Sequence, residues 1–473
     1  MSHWSRRRFL EISALGGGAT VLRSFLGDKA ASASESNPQL LLFVYFSGGW
    51  DQLLALDPRD NSLAKYSETQ AYAAGGSGIY PAYHEVVDTL VESVMTSTGG
   101  KGVQQKGNVG FGPAMPASLL AHYPDLSVVR GMSMETLTHE VGRRYMTTGK
   151  FPRGLAANGS SLTTFVAKEE GAAALVPNLS IGTESYNEGL PAYASAIRVN
   201  TADDVLNVLR PLGTAIAPGS MAAIEAYEDA AGDNCQHQEH NGAGLVDLFR
   251  DSRTKARGIT DSTAATLFKF SATAPDPLVK PLMDALQIAT TADLNGPKGK
   301  AAIAAQALVK GVSQAVSVQL CAGLDDHFEW ATQQASTQRV SWDALGLLIK
   351  YLKANPFKDT ADSVWDHTTM VVFSEFSRTP LISGRGGRDH HLASSCLVSG
   401  PGIKGNTVVG ATKEPNMGVS KVDLTTGKTV PDDDDSGVVV RPADVHATLL
   451  ESMGLSHDHI ANQSPKLIDA LLV

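Results

Sequence analysis

Gln39-Leu-Leu-Leu-Phe-Val-Tyr-Phe46 runs directly into Ser47-Gly48-Gly49-Trp50-Asp51. After its first residue the run is apolar and does not alternate. A strand of that kind is expected to be covered on both faces, as in a parallel sheet flanked by helices. The Gly-Gly turn that ends it leaves a carboxylate, Asp51, at the strand's carboxyl end. Four further apolar runs, at 126–130, 315–320, 368–373 and 395–399, read as companion strands. Helical patterns lie between and after them, at 138–148, 278–290, 298–314, 330–352 and 442–450. Thr201 to Asp204 has capping-box spacing, with Asp in the last position. Strands alternating with helices predict an α/β fold, a doubly wound and mainly parallel sheet with helices on both faces. Sites in such sheets lie outside the carboxyl ends of the strands.

The composition sets the limits. The chain has 473 residues, 42% hydrophobic and 19% charged, which excludes a wholly disordered polymer. Its formal net charge is -10 and it has no long basic run, so no nucleic-acid partner is expected. Three cysteines exclude a disulfide framework. Cys321 and Cys396 lie in strand-like runs and read as buried small hydrophobes. Residues 34–473 are expected to form one large domain. Within it, 72–112 reads as a glycine-rich surface loop and 155–320 as a largely helical insertion.

Residues 1–33 are expected to be removed. Arg6-Arg7-Arg8-Phe9-Leu10 followed by a modest apolar stretch reads as a twin-arginine signal, with a small-x-small cleavage site at Ala31-Ser32-Ala33. The Tat export machinery is thus the expected partner, and the periplasm or the exterior the expected location. The stretch is interrupted by Arg23 and is too short to span a bilayer, and no integral span is expected in the mature chain. Removal leaves 34 basic and 47 acidic residues, a net of -13.

Four strand ends carry polar clusters. Asp51 follows the first run; Asp325, Asp326 and His327 follow the third; Glu375 follows the fourth; Arg388, Asp389, His390 and His391 precede the fifth. Carboxylates and imidazoles converging on one rim can hold one or two divalent cations, and mixed nitrogen and oxygen donors without thiolate suit zinc or manganese. The helix starting near Thr138 adds an anion-favouring N-terminus. There Thr138 is a candidate hydroxyl nucleophile or simply the N-cap, and His139 a base or further ligand. Arg378, Arg143 and Lys150 are candidate contacts for an anion. Cys235, His237 and His240 have metal-like spacing in a polar loop-like stretch.

Several of these pieces together resemble a known group. They are Phe46-Ser-Gly-Gly-Trp-Asp51, Thr138-His-Glu140, Gly323-Leu-Asp-Asp-His327, Ser374-Glu-Phe-Ser-Arg-Thr379, Gly387-Arg-Asp-His390 and Pro442-Ala-Asp-Val-His-Ala-Thr448. Their order resembles the alkaline-phosphatase and sulfatase-like superfamily. More closely the chain is similar to a bacterial exported family called domain of unknown function 1501. The resemblance implies a two-metal site, with Asp51 as the first-strand ligand and Asp325 with His327 on the other ion. It places Glu375 where the superfamily has Asp-His, and His390 as the late histidine with Asp389 beside it. At the usual nucleophile position stands His139, or Thr138 one residue earlier. Two functions follow. One is an exported metal-dependent hydrolase of phosphate or sulfate esters, acting on an anionic ester substrate. The other is a catalytically inactive binding or assembly module on the same metal-binding fold.

Overall fold

A computed structural model of the chain describes residues 39–209, 219–220, 222–224, 226–227 and 263–473. The expected signal segment and the Cys235–His240 cluster lie outside the described residues. The main sheet has eight strands: β1 Leu40–Phe46, β2 Ser127–Ser133, β3 Asn178–Ile181, β4 Ile197–Val199, β5 Ala315–Cys321, β6 Thr368–Phe373, β7 Ala393–Ser399 and β8 Val408–Val409. Their spatial order is β8-β2-β7-β6-β1-β5-β3-β4. All neighbours are parallel except at β7, which runs against both β2 and β6. The sheet is therefore mixed and mainly parallel. The five helices used below are α1 His139–Thr148, α2 Leu162–Glu170, α3 Pro297–Val309, α4 Trp330–Ala354 and α5 Pro442–Ser452.

The unbroken apolar run of β1 is explained by its central place. Leu40, Leu42, Val44 and Phe46 join a core with Ala301 and Ile303 of α3 and Leu345 and Leu348 of α4. Leu41, Phe43 and Tyr45 join a second core with Leu162 and Val166 of α2 and Val445 and Leu449 of α5. Alternate side chains thus feed opposite layers, and each fully buried one contributes about 1.5–3 kcal/mol relative to exposure. Beyond the strand's end, Phe46, Trp50 and Trp342 close the first core, with centroids 4.3 Å apart for Phe46–Trp342 and 5.6 Å for Trp50–Trp342.

Three strands were not foreseen. β3, β4 and β8 hold only four, three and two residues. The span 155–320, expected as a largely helical insertion, supplies β3, β4 and β5 to the sheet. Residues 72–112, expected as a loop, contain a helix at Thr89–Ser97 and a hairpin of Gln104–Lys106 with Val109–Phe111. The helix is capped by Asp88, which accepts from Leu90 N at 2.9 Å. The hairpin turns on Gly107-Asn108, a two-residue signal that its polar strands obscured. The Thr201 capping box is formed: Asp204 N donates to Thr201 Oγ1 at 3.2 Å and Thr201 N to Asp204 Oδ2 at 3.0 Å. Cys321 and Cys396 are buried, free thiols, and burial pushes both up to about 12. Among the described residues no helix is long and apolar enough to cross a membrane.

The reversal of β7 decides where the site forms. The carboxyl ends of β1, β5 and β6 and the amino end of β7 share one rim, so the loop before β7 meets the loops after the other three.

Candidate metal centre

The loops are locked by close backbone approach. Gly48 has φ of +113°, and a Cβ there would lie 2.4 Å from Asp325 N. Its N–H donates to Glu375 Oε1 at 2.9 Å. Gly142 of α1 presses on the same loop, since a Cβ there would lie 2.2 Å from Glu375 O. A two-residue antiparallel pairing of Ser377–Arg378 with His390–His391 sets His390 opposite Arg378. The β1, β5 and β6 loops, the N-terminus of α1 and the strand-like turn before β7 thus converge.

What they bring together is three imidazoles around one carboxylate. Asp325 Oδ1 lies 3.3 Å from His139 Nε2, 3.1 Å from His327 Nε2 and 3.5 Å from His390 Nε2. His327 Nε2 and His390 Nε2 face each other at 3.1 Å. Each ring is held from behind by an acceptor. His139 Nδ1 is 2.8 Å from Glu375 Oε1, His327 Nδ1 is 2.8 Å from Asp389 Oδ1, and His390 Nδ1 is 2.6 Å from Leu137 O. A carbonyl or an ionised carboxylate can only accept. Every Nδ1 therefore carries the hydrogen, and in the neutral rings the Nε2 atoms of His139 and His390 present lone pairs to Asp325, while His327 Nε2 beside them is also approached by Arg378 Nη1 at 3.4 Å. His139 Nε2 is buried without a hydrogen-bond partner despite its 3.3 Å approach to Asp325. His139 Nε2, His390 Nε2 and an Asp325 oxygen lie within 4.8 Å of one another and are a fit to a cation, although Arg378 donates to Asp325 Oδ1 at 2.7 Å and reaches His327 Nε2 at 3.4 Å; nitrogen and oxygen donors of this kind suit zinc or manganese.

The electrostatics agree. Burial works against the charged form of Glu375, but bonds from His139 and the Gly48 N–H outweigh it and hold its carboxyl below the ordinary value. Burial likewise opposes ionised Asp325, yet the Arg378 hydrogen bond and the His139 charge bring it down to about 2. Desolvation pushes His390 below its ordinary value, aided by the positive charge of Arg378. His139 is the exception. Desolvation disfavours its charge, but Glu375 and Asp325 outweigh it and raise the imidazole above its ordinary value.

Several expected residues sit elsewhere or act otherwise: Glu375 and Asp389, expected as metal ligands, stand behind the His139 and His327 rings as acceptors and outside the converging group. Asp51, expected as a first-strand ligand, is outside the group. It is fully buried; its oxygens accept from Trp330 Nε1 at 2.6 Å and Leu53 N at 2.9 Å, and Arg388 Nε stands 3.1 Å away as an ion-pair partner without making a hydrogen bond. Arg388 is itself buried and donates to Tyr80 O at 2.7 Å and Thr379 O at 3.1 Å. Arg378, expected to meet an anion, is also buried. Its five N–H groups point at Gly49 O (2.9 Å), Gly48 O, Arg388 O (3.1 Å), Asp325 Oδ1 (2.7 Å) and His327 Nε2 (3.4 Å). Only the last, longest contact could be claimed by a ligand without breaking a bond to an oxygen.

Thr138 is the exposed N-cap of α1, and its side chain makes no capping bond. Asp326 turns away and accepts from Glu329 N at 2.6 Å. His391 turns its Nε2 to Asn416 O at 3.0 Å. Arg143 pairs with Glu184 at 2.8 Å, and Lys150 follows the C-cap of α1, about 15 Å along the helix from His139. Sequence reading missed the Asp51–Arg388 pair and the Leu137 carbonyl. The first had a signal in the Gly387-Arg388-Asp389 run; a backbone acceptor has none.

Residues 39–464 match the family model described as "Protein of unknown function (DUF1501)". No curated protein sequence matches the chain. Among solved structures, a sulfatase from Pseudoalteromonas sp. is 11% identical, covering 96% of this chain and 73% of that one, with a TM-score of 0.36. A putative sulfatase from Bacteroides fragilis is 11% identical, covering 93% and 79%, with a TM-score of 0.31. A protein solved with D-glucosamine-2-N,6-O-disulfate is 11% identical, covering 89% and 77%, with a TM-score of 0.33.

Proposed function

The chain belongs to the DUF1501 family, and from that premise we propose that it is a metal-dependent hydrolase of phosphate or sulfate esters. The observation that carries this reading is the convergence of His139 Nε2, His390 Nε2 and an Asp325 oxygen within 4.8 Å of one another, with His327 Nε2 3.1 Å from both Asp325 and His390. These four residues would hold a divalent cation, zinc or manganese. When bound, such an ion supplies Lewis-acid polarisation of an ester oxygen.

The remaining roles belong to the chain itself. Glu375, Asp389 and the Leu137 carbonyl orient the three rings from behind. Arg378 fixes Asp325. The N-terminus of α1 faces the same centre, and its first-turn N–H groups, which the Thr138 side chain does not cap, favour a sulfate- or phosphate-like group. The Thr138 hydroxyl, exposed at that helix start, is the nucleophile candidate. His139, first considered for that role, acts as a ligand, because Glu375 fixes its Nδ1 and turns its Nε2 inward.

We further assign the chain to Tat export, on Arg6-Arg7-Arg8-Phe9-Leu10. Folding would then precede translocation, and the cation would be loaded in the cytoplasm. Arg6→Lys with Arg7→Lys should leave the protein there, as read by cell fractionation.

The test of activity uses purified full chain loaded with zinc or with manganese, against a panel of phosphate and sulfate esters. Turnover that falls at least about 100-fold in Asp325→Ala and His390→Ala, with the fold intact, is the expected result. No turnover across the panel by metal-replete protein would overturn the enzyme reading.

A further inference from the structure

We propose that the stacked imidazoles of His446 and His459 form a proton-sensitive latch, which holds the turn at 455–464 over the end of α1 at neutral pH and releases it in acid. The inference is independent of the metal centre and of its chemistry.

The latch is a ladder of four rings from four elements. Phe43 of β1 meets His446 of α5 edge-on, with centroids 6.3 Å apart. His446 lies nearly parallel to His459, at 12° and 6.0 Å, and His459 stacks on Phe165 of α2 at 4.8 Å. His459 belongs to a short 3-10 turn, Asp458–Gln463, that follows α5. His446 Nε2 is 2.7 Å from the Met146 carbonyl of α1 and so carries the hydrogen. His446 Nδ1 and both ring nitrogens of His459 are buried and meet no partner in hydrogen-bond geometry. Gly149, the C-cap of α1, closes the contact. A Cβ there would lie 2.7 Å from His446 Nδ1 and 3.1 Å from Ile460 Cγ2. The turn thus lies across the end of the helix whose first residue is His139. Its one fully buried side chain is Ile460, so it can open without the sheet.

The surroundings oppose a positive charge on the ladder. Burial is the largest cause, pushing His446 down to about 4 and His459 down to about 2. Lys150, and His446 and His457 when protonated, also disfavour charge on His459; the Thr148 backbone favours it without offsetting burial. The other charged neighbours are engaged or turned to solvent. Glu451 takes His457 at 3.0 Å, Lys168 stands 6.0 Å over the Phe165 ring, and Asp458 is exposed. In the opened turn His459 regains its ordinary value of about 6.5. Folded values below the ordinary one mean that the closed form is favoured above about 6.5 and loses ground as pH falls, by about tenfold per unit for each imidazole that gains a proton on opening.

The experiment is hydrogen exchange of the full chain, read by mass spectrometry at pH 7 and pH 5 and referenced to the intrinsic exchange rate at each. In the wild type, protection of the peptide 455–464 is expected to fall at least about tenfold at pH 5 while β1 and β6 keep theirs. His459→Phe keeps the ring ladder without the proton site and should hold its protection at both values. Equal protection of 455–464 at pH 7 and 5 in the wild type overturns the latch. So does a parallel loss in β1 and β6, which would mean global unfolding, or an undiminished acid response in folded His459→Phe. Should that variant fail to fold, the imidazole Cε1 NMR signals of the wild type decide: His459 titrating near 6.5 with the turn still protected overturns the proposal.

Discussion

Replacing Arg388 with methionine tests whether Asp51 is a structural charge and not a metal ligand. Arg388 and Asp51 are both buried and lie 3.1 Å apart. Removing the guanidinium strands an ionised carboxylate with only the Trp330 and Leu53 N–H groups, at 2.6 and 2.9 Å. Breaking one side of such a pair typically costs about 3–5 kcal/mol. The cation–π contact with Trp330, at 4.3 Å, adds about 0.5–2 kcal/mol. Arg388→Met should therefore lose about 3.5–7 kcal/mol, on the sum of those two ranges, in urea unfolding followed by far-UV circular dichroism. Asp51→Asn should lose a similar amount. The double variant should lose less than the two singles together, by at least about 2 kcal/mol, because residues in one network couple. Metal content measured on the same samples should not change in folded Asp51→Asn. If Asp51→Asn keeps native stability but loses metal, or if the two singles simply add, the reasoning fails.

Other expectations are independent of that pair. Glu375→Ala removes the acceptor behind His139 and should weaken zinc binding by about 10–100-fold in a competition titration, the usual effect of losing a ligand's supporting bond. Asp57 is buried between Arg59 at 2.7 Å and Arg130 at 3.5 Å; burial raises its carboxyl, but the two guanidinium charges prevail and hold it below the ordinary value. The stability it contributes is present above the unfolded value of about 3.9 and lost as pH falls through the lower folded value. Acid unfolding of Asp57→Asn should accordingly be less steep below about pH 4 than that of the wild type. Cys321 and Cys396, pushed up to about 12 by burial, should resist alkylation at neutral pH until the protein unfolds, as read by peptide mass spectrometry.

The parts of the fold legible in the sequence were those stabilised by their own burial. β1, β5 and β6 are six or seven residues long and buried along most or all of their length, so hydrophobic runs alone located them. β3 opens on Asn178, a buried amide whose Nδ2 donates to Ala194 O at 3.0 Å, and such a strand owes its place to its neighbours. Hydropathy is also silent on strand direction, yet the reversal of β7 is what brings Asp389 and His390 to the rim. The rim cluster of Asp325, His327 and His390 was legible because imidazole and carboxylate residues crowd those loops in the sequence. The pairing of Asp51 was not, since only the closed sheet shows that Arg388 reaches it before any ion could.

The hydrogen bond from Gly48 to Glu375 joins residues 327 positions apart. Closing so long a loop is slow in chain-entropy terms, and nothing local rewards it in advance. The nascent polypeptide must therefore leave the ribosome past β6 and into the stretch that ends at His390 before the three imidazoles can share a point. The convergence of these side chains therefore reports completion of the sheet, so an ion-binding assay on stalled chains of increasing length would date the moment at which the last strand docks.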